Sequence, residues 1–224
     1  MTTIIDADFD AIELASTADP RCACVLVLDT SGSMSGARIA ELNAGLAQFQ
    51  HELHGDALSR RRVEVATVAF GHEELQEHDF ILADRYVAPP LTAGGNTPMG
   101  AAIDRALTLL EARKAVYRTH GLATYRPWFI LMTDGGPTDS WRPAAHRLRT
   151  AEQAQQLTSF AIGVDGADFQ VLRQCSARTP LRLKGHSFRE FFLWLSASMR
   201  RVSGSRVGDT TRLLPYDGWG EVPT

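Results

Sequence analysis

The feature that most constrains the fold is a run of six apolar residues, 23–28, which leads directly into Asp29. A short apolar run of this kind predicts a strand that is buried on both faces, as in a parallel sheet. Asp29, Ser31 and Ser33 alternate after it, so in an extended loop their oxygens point to one side. One carboxylate and two hydroxyls at a strand end form a set of hard oxygen ligands that suits Mg²⁺.

Two later stretches predict the rest of the same site. Residues 94–100 read G-G-N-T-P-M-G, where the glycines permit tight turns that bring the Thr97 hydroxyl close. Residues 129–136 read F-I-L-M-T-D-G-G, a second apolar strand that ends beside Asp134. Each stretch alone could be a capped turn or helix start. Together they predict one metal site with oxygen ligands from Asp29, Ser31, Ser33, Thr97 and Asp134.

The remaining pattern alternates strands with helices. Apolar residues recur at helical spacing near residues 37–54, 98–118 and 188–199, and short apolar runs at 63–70, 159–164 and 181–183 predict strands. We expect Thr138, Asp139 or Ser140 to cap a further helix that ends near residue 156. This alternation predicts an α/β fold with a doubly wound, mostly parallel sheet.

The D-T-S-G-S run, the G-G-N-T-P-M-G loop and the T-D-G turn, in this order, resemble the metal-ion-dependent adhesion site (MIDAS) of the von Willebrand factor A (vWA) domain. The resemblance covers residues 22–203, which leaves an N-terminal arm at 1–21 and a C-terminal tail at 204–224. It implies a Rossmann-like six-stranded sheet of order 3-2-1-4-5-6, with one antiparallel edge strand and helices on both faces. In that order the strands ending at Asp29 and Asp134 are neighbours, where α/β sheets bind ligands.

The resemblance also implies roles for the ligands. Ser31, Ser33 and often Thr97 would bind the ion directly, whereas Asp29 and Asp134 would bind it directly or through water. Because hydroxyls are neutral, much of the charge of Mg²⁺ (or Mn²⁺ or Ca²⁺) would stay uncancelled. We therefore expect a partner protein to supply an Asp or Glu carboxylate to an open position. Met34, Met99, Pro137 and Trp141 could add contact area, although Trp141 could equally pack under its own helix.

Within the family, residues 126–139 and the ending Gly218-Trp219-Gly220 are most similar to the bacterial tellurium-resistance (TerY-like) type. That similarity implies an adaptor in a bacterial stress-response system. Its partners would be a protein kinase and a metal-dependent protein phosphatase.

Two other functions stay open. The first is a metal-dependent hydrolase or phosphatase, but the motifs place no His or Glu as a general base, and Ser31 stands where an aspartate-nucleophile phosphatase has its second Asp. The second is a metal-free structural interaction domain. We expect an interaction module rather than an enzyme.

Length and composition limit the number of domains, the classes of ligand and the cell compartment expected for this chain. A length of 224 residues suits one domain with extensions, and a net charge of -3 gives no case for binding nucleic acid or an anionic membrane. The N-terminal residues lack a signal-peptide pattern, and no apolar run approaches the ~20 residues that span a bilayer. Three cysteines, an odd number, predict reduced thiols. These features predict a cytoplasmic protein.

Overall fold

The computed structural model describes residues 19–216 and 218–223. Most of the predicted N-terminal arm therefore lies outside the described residues. The strands are β1 (Cys22–Asp29), β2 (Val63–Phe70), β3 (Gln76–Leu82), β4 (Trp128–Thr133), β5 (Thr158–Gly163), β6 (Leu181–Leu183) and β7 (Gly220–Glu221). They form one sheet of order β3-β2-β1-β4-β5-β6-β7.

Six helices connect these strands within the described ranges. They are α1 (Ala37–Gly55), the single turn α2 (Ser59–Arg62), α3 (Met99–Thr119), α4 (Arg142–Gln153), α5 (Phe169–Cys175) and α6 (Phe188–Ser203). A short 3₁₀ turn, Gly32–Met34, lies between β1 and α1. Asp168 caps the N-terminus of α5, because its carboxylate accepts hydrogen bonds from the backbone N–H groups of Gln170 and Val171.

The sheet separates two hydrophobic clusters, and β1 contributes to both. Cys24, Leu26 and Leu28 face the cluster formed with α1 and α6, whereas Val25 and Val27 face the cluster formed with α3, α4 and α5. Since successive side chains of a strand point to opposite faces, an uninterrupted apolar run is what a strand with helices on both faces requires. The prediction from residues 23–28 is confirmed.

The predicted strand order is also confirmed, with β3 antiparallel to β2 at one edge. The structure adds β7, which pairs antiparallel with β6 at the other edge. Beside β7, Trp219 is buried against Phe191 and Trp194, with ring centroids 4.9 and 5.1 Å apart. A strand of two residues has no periodicity that the sequence could reveal.

The three cysteines, Cys22, Cys24 and Cys175, are free and buried. Burial raises the pKa of the Cys22 and Cys175 thiols to about 12, and it raises that of Cys24 as well. The thiols therefore behave as small apolar side chains at neutral pH. No helix in residues 19–216 or 218–223 combines the length and apolar character needed to cross a membrane.

Candidate metal centre

The first and fourth strands bring the two predicted carboxylates to the same edge of the sheet. β1 and β4 run parallel, with Leu28 opposite Met132, so Asp29 and the Thr133–Asp134 step end side by side. From this point the chain proceeds through β2 and β3 in one direction and through β5 and β6 in the other. The loops that follow such strands diverge and leave a crevice, which is the usual ligand position in open α/β sheets.

Asp29 is fully buried at this edge and is held from two directions. Its Oδ1 accepts a 2.8 Å hydrogen bond from the backbone N–H of Ser31, and its Oδ2 accepts one from the Thr133 hydroxyl on β4. The pKa of the Asp29 carboxyl is raised overall, and burial is the main cause. The hydrogen bonds from Ser31 and Thr133 act in the opposite direction, and the nearby Asp134 carboxylate adds to the rise. Two neighbouring carboxylates with little solvent access favour a bound cation.

A chain of hydrogen bonds joins the other side chains of this edge. The Ser31 and Ser33 hydroxyl oxygens lie 3.0 Å apart, and the Ser33 hydroxyl donates to Oδ1 of Asp134 at 2.6 Å. Asp29, Ser31 and Asp134 are buried, whereas Ser33 is exposed. Four of the five predicted ligands therefore form one connected cluster that opens to solvent at Ser33.

Backbone hydrogen bonds lock three loops together around this cluster. Thr30 donates its N–H to Phe70 at the end of β2 (2.7 Å), and its carbonyl accepts from Gly94 (2.8 Å). Gly32 donates its N–H to the carbonyl of Gly95 at 3.1 Å. The loop that carries Thr97 is thus fixed directly against the loop that carries Ser31 and Ser33.

This packing requires glycine at two positions. A Cβ atom at position 71 would lie 2.3 Å from the carbonyl oxygen of Thr30, and one at position 95 would lie 1.9 Å from that of Gly71. Gly95 also has a positive φ of 71°, which side chains other than glycine rarely adopt. Gly95, one of the glycines predicted to permit a tight turn, therefore adopts such a conformation, and both glycines also let backbone segments approach each other closely.

Thr97 is joined to the site through its backbone. Its N–H donates to the Thr138 hydroxyl at 3.1 Å, and its carbonyl accepts from the backbone N–H of Thr138 at 2.9 Å. Thr97 is 7% exposed, and the helix α3 begins two residues later. These contacts do not involve the Thr97 hydroxyl, and its role as a ligand stays a prediction.

The predicted capping of α4 by Thr138, Asp139 or Ser140 is wrong. Asp139 accepts hydrogen bonds from the N–H groups of Gly100 and Ala101, at 3.0 and 2.9 Å, and so caps α3. Trp141 occupies the capping position of α4 without a side-chain hydrogen bond. Thr138 and Asp139 therefore hydrogen-bond to the Thr97 loop and to the first turn of α3, whose N–H groups have no partner within the helix.

Sequence reasoning missed one residue of the site, Arg38. Its Nη1 lies 2.7 Å from Oδ2 of Asp134 and donates to the carbonyl of Ser33 at 3.1 Å. Arg38 belongs to the first turn of α1, and helical side chains point back towards the helix N-terminus. Its position just after the Ser-rich loop is the signal that could have identified it.

The expected contact surface is wrong for Met34 and Met99, and for Trp141 the structure shows the alternative, packing under its own helix. Met34 and Met99 are fully buried, and Trp141 is only 7% exposed. Trp141 packs in the cluster beneath α3, with the guanidinium of Arg142 5.0 Å from its ring centroid. Met34, Met99 and Trp141 are therefore buried in the core next to the site and cannot contact a partner. Of the four residues, Pro137 is half-exposed.

The donor set fits a small divalent ion. In the described part of the chain, no group of three or more His, Cys, Asp or Glu side chains could hold a metal. Here hydroxyls supply most of the oxygens instead. The Ser31 and Ser33 oxygens lie 3.0 Å apart and the Ser33 and Asp134 oxygens 2.6 Å apart, so these three donors are near enough to one another to bind one ion.

Solved structures share this fold. The pilus adhesin SpaC from Lactobacillus rhamnosus GG matches with a TM-score of 0.66 and 15% identity, over 81% of this chain and 30% of SpaC. Proximal thread matrix protein 1 from the mussel byssus matches with a TM-score of 0.55 and 17% identity, over 81% of this chain and 48% of that protein. This chain therefore spans less than half the length of either protein.

A search of curated protein sequences finds no match to this chain. The family model of the von Willebrand factor type A domain matches residues 24–190. That range contains the three loops, the five predicted ligands and the strands that position them. The chain therefore belongs to the von Willebrand factor type A domain family.

Proposed function

We propose that this domain binds a partner protein through one divalent ion, with Mg²⁺ as the first candidate and Mn²⁺ or Ca²⁺ as the others. The proposed ligands are Asp29, Ser31, Ser33, Thr97 and Asp134. The observation that carries the proposal is the hydrogen-bonded chain from Ser31 through Ser33 to Asp134, beside the buried Asp29. It brings oxygen ligands from two distant segments of the chain close enough together to bind one ion.

Charge balance supports a carboxylate from the partner as the last ligand. The two aspartates together neutralise at most the charge of one divalent ion, and Arg38 already pairs with one of them. The site with its ion would therefore carry net positive charge and attract an anion. An Asp or Glu side chain entering beside the exposed Ser33 meets this requirement.

An interaction function is preferred to hydrolysis because of what surrounds the ligands. Among the described residues, the side chains that hydrogen-bond to the site come from Thr133, Thr138 and Arg38. Neither a threonine hydroxyl nor a guanidinium is suited to act as a general base at neutral pH.

We also propose the narrower role of an adaptor in a bacterial tellurium-resistance or stress-response system, inside the cytoplasm. A protein kinase and a metal-dependent protein phosphatase would be its partners. Support for this role is confined to the sequence similarity of residues 126–139 and of the Gly218-Trp219-Gly220 ending. The likeness to an adhesin and to a byssus protein concerns the fold alone.

The interaction can be tested by using the domain as bait with separately purified candidate kinase and phosphatase partners. Capture should occur with Mg²⁺, disappear with a chelator, and disappear in Asp29→Ala. The matched control is Asp165→Ala, which removes an exposed carboxylate from the loop after β5 at the same edge of the sheet. Acidic residues of a captured partner are then replaced one at a time. If chelator has no effect and none of these replacements weakens capture, the proposed mechanism is wrong.

A further inference from the structure

Arg38, which is not one of the five predicted ligands, forms an ion pair with one of them, Asp134. Its Nη1 lies 2.7 Å from Oδ2 of Asp134. The other oxygen of Asp134, Oδ1, accepts the hydrogen bond from Ser33. Both carboxylate oxygens of a predicted metal ligand therefore already have a partner from the chain.

The contact is well placed to affect a bound ion. The Asp134 side chain has no solvent exposure, and that of Arg38 is 29% exposed. Charges that are partly withdrawn from water are screened less by salt than exposed pairs.

We propose that Arg38 is an internal counter-cation of the metal centre, which competes with the divalent ion for Asp134. This inference rests on the proposed function, because it assumes that the ion binds at Asp134. A +2 ion within reach of Asp134 is repelled by the guanidinium, and a bond from the ion to Oδ2 would displace the guanidinium from that oxygen. Arg38 thereby lowers the affinity for metal and makes occupancy of the site sensitive to metal concentration.

The competition has a second consequence at the start of α1. The same Nη1 also donates to the carbonyl of Ser33, so Arg38 links Asp134 to the loop between β1 and α1. When the guanidinium gives up Asp134, that link between the β4 edge and the first turn of α1 is broken. Binding of the ion through Oδ2 would therefore be coupled to release of the Arg38 side chain.

The test is a calorimetric titration of the purified domain with MnCl₂ at about 0.15 M salt, where the Debye length is ~8 Å. Wild type is compared with Arg38→Gln, which removes the charge, and Arg38→Lys, which keeps it but loses the planar fork. The control is Arg147→Gln, which breaks an exposed ion pair with Asp104 on α3 and changes the net charge equally. A melt in chelator measures the folding of each variant.

We expect Arg38→Gln to bind Mn²⁺ about tenfold more tightly than wild type, Arg38→Lys to lie between them, and Arg147→Gln to stay within about twofold. In chelator, Arg38→Gln should melt at a lower temperature than wild type, because Asp134 loses a charged partner. The Mn²⁺-induced rise in melting temperature should nevertheless be larger in this variant.

Failure of this inference can be told apart from failure of the proposed function. If wild type binds Mn²⁺ and Arg38→Gln binds it equally or more weakly, Arg38 does not compete and the inference is overturned, while the metal site stands. If wild type binds no Mn²⁺, the proposed function and this inference fall together. A lower melting temperature in chelator with unchanged Mn²⁺ affinity would identify Arg38 as a structural residue only.

Discussion

Ser33 donates a 2.6 Å hydrogen bond to Asp134, although 101 residues separate the two in the chain. Both residues lie just beyond the ends of their strands, so their contact depends on the parallel pairing of β1 with β4. Their oxygens also belong to separate sequence motifs that were predicted to share one ion. If this cluster is a metal site rather than a set of structural hydrogen bonds, replacing its hydroxyl side chains should weaken metal binding more than it weakens the fold.

Ser33→Ala should weaken metal binding strongly and stability only slightly. Ser33 is exposed, so the fold loses its two hydroxyl hydrogen bonds, to Ser31 and to Asp134, each worth about 0.5–1.5 kcal/mol, and no buried volume. Metal affinity should fall at least about tenfold because a direct ligand is gone. Ser35→Ala, two residues further along at another exposed position, is the control and should behave as wild type in a Mn²⁺ titration.

Thr97→Ala should weaken the binding of metal and partner more than it weakens the fold. The contacts that hold Thr97 in place use its backbone N–H and carbonyl, which alanine retains. Thr97→Ser keeps the hydroxyl and should keep the binding. The melting temperature in chelator decides the matter, because metal-linked stabilisation is absent there. A large drop for Thr97→Ala under that condition would show that the hydroxyl is mainly structural.

Gly95→Ala should destabilise the fold and abolish metal binding together. The added Cβ would approach the carbonyl oxygen of Gly71 to 1.9 Å, at a backbone conformation that alanine adopts poorly. We expect a loss of more than about 2 kcal/mol in the free energy of unfolding, which lowers the melting temperature by several degrees. Gly136→Ala is the matched control, because a Cβ there has no neighbour within 4 Å. Equal melting curves for the two variants would refute the packing argument.

The buried thiols predict how stability changes with pH. Because burial raises the pKa of Cys22 and Cys175 to about 12, these thiols stay protonated in the folded protein while the unfolded chain ionises near pH 8.5. The unfolded state then binds fewer protons, so the free energy of unfolding falls as pH rises through that value. Urea denaturation at pH 7.5 and 9.5 should show the fall. A variant with alanine at both positions should show less of it, and an equal fall in both proteins would contradict the assignment.

The same burial predicts that native thiols resist chemical modification. At pH 8 the thiolate of Cys175 is roughly a thousandfold less populated than that of an ordinary cysteine, and it lacks solvent access. Iodoacetamide should therefore modify the unfolded chain in guanidinium quickly and the native protein slowly. Rapid labelling of the native protein would mean that one of the three cysteines is accessible.

Much of the fold could be predicted from the sequence because its signals are local. The runs at 23–28 and 129–132 are apolar at every position, and only a strand covered on both faces buries all of them. The positions of Asp29 and Asp134 follow from the strand ends. β7 was missed because two residues carry no pattern, and its pairing depends on the aromatic contacts of Trp219.

The details of the site were harder to predict because they depend on distant segments. Asp139 resembles a local helix cap in sequence, yet it caps α3, because the N-terminus of that helix lies within its reach in the fold. Met34 and Trp141 follow the metal motifs closely, but the packing of α3 and α4 decides that they are buried. Arg38 contacts Asp134 only because β1 and β4 are neighbours.

Calorimetric titration of the domain with Mg²⁺ and Mn²⁺ tests most directly whether the proposed site binds a divalent ion. We expect one ion to bind to wild type and to Asp165→Ala, and none to bind to Asp29→Ala. Asp29 is chosen because it is the predicted ligand at the end of β1 and has no contact with Arg38 among the hydrogen bonds described above. Circular dichroism should confirm that each variant is folded. Equal binding of Mn²⁺ by wild type and by a folded Asp29→Ala variant would contradict the proposed metal site.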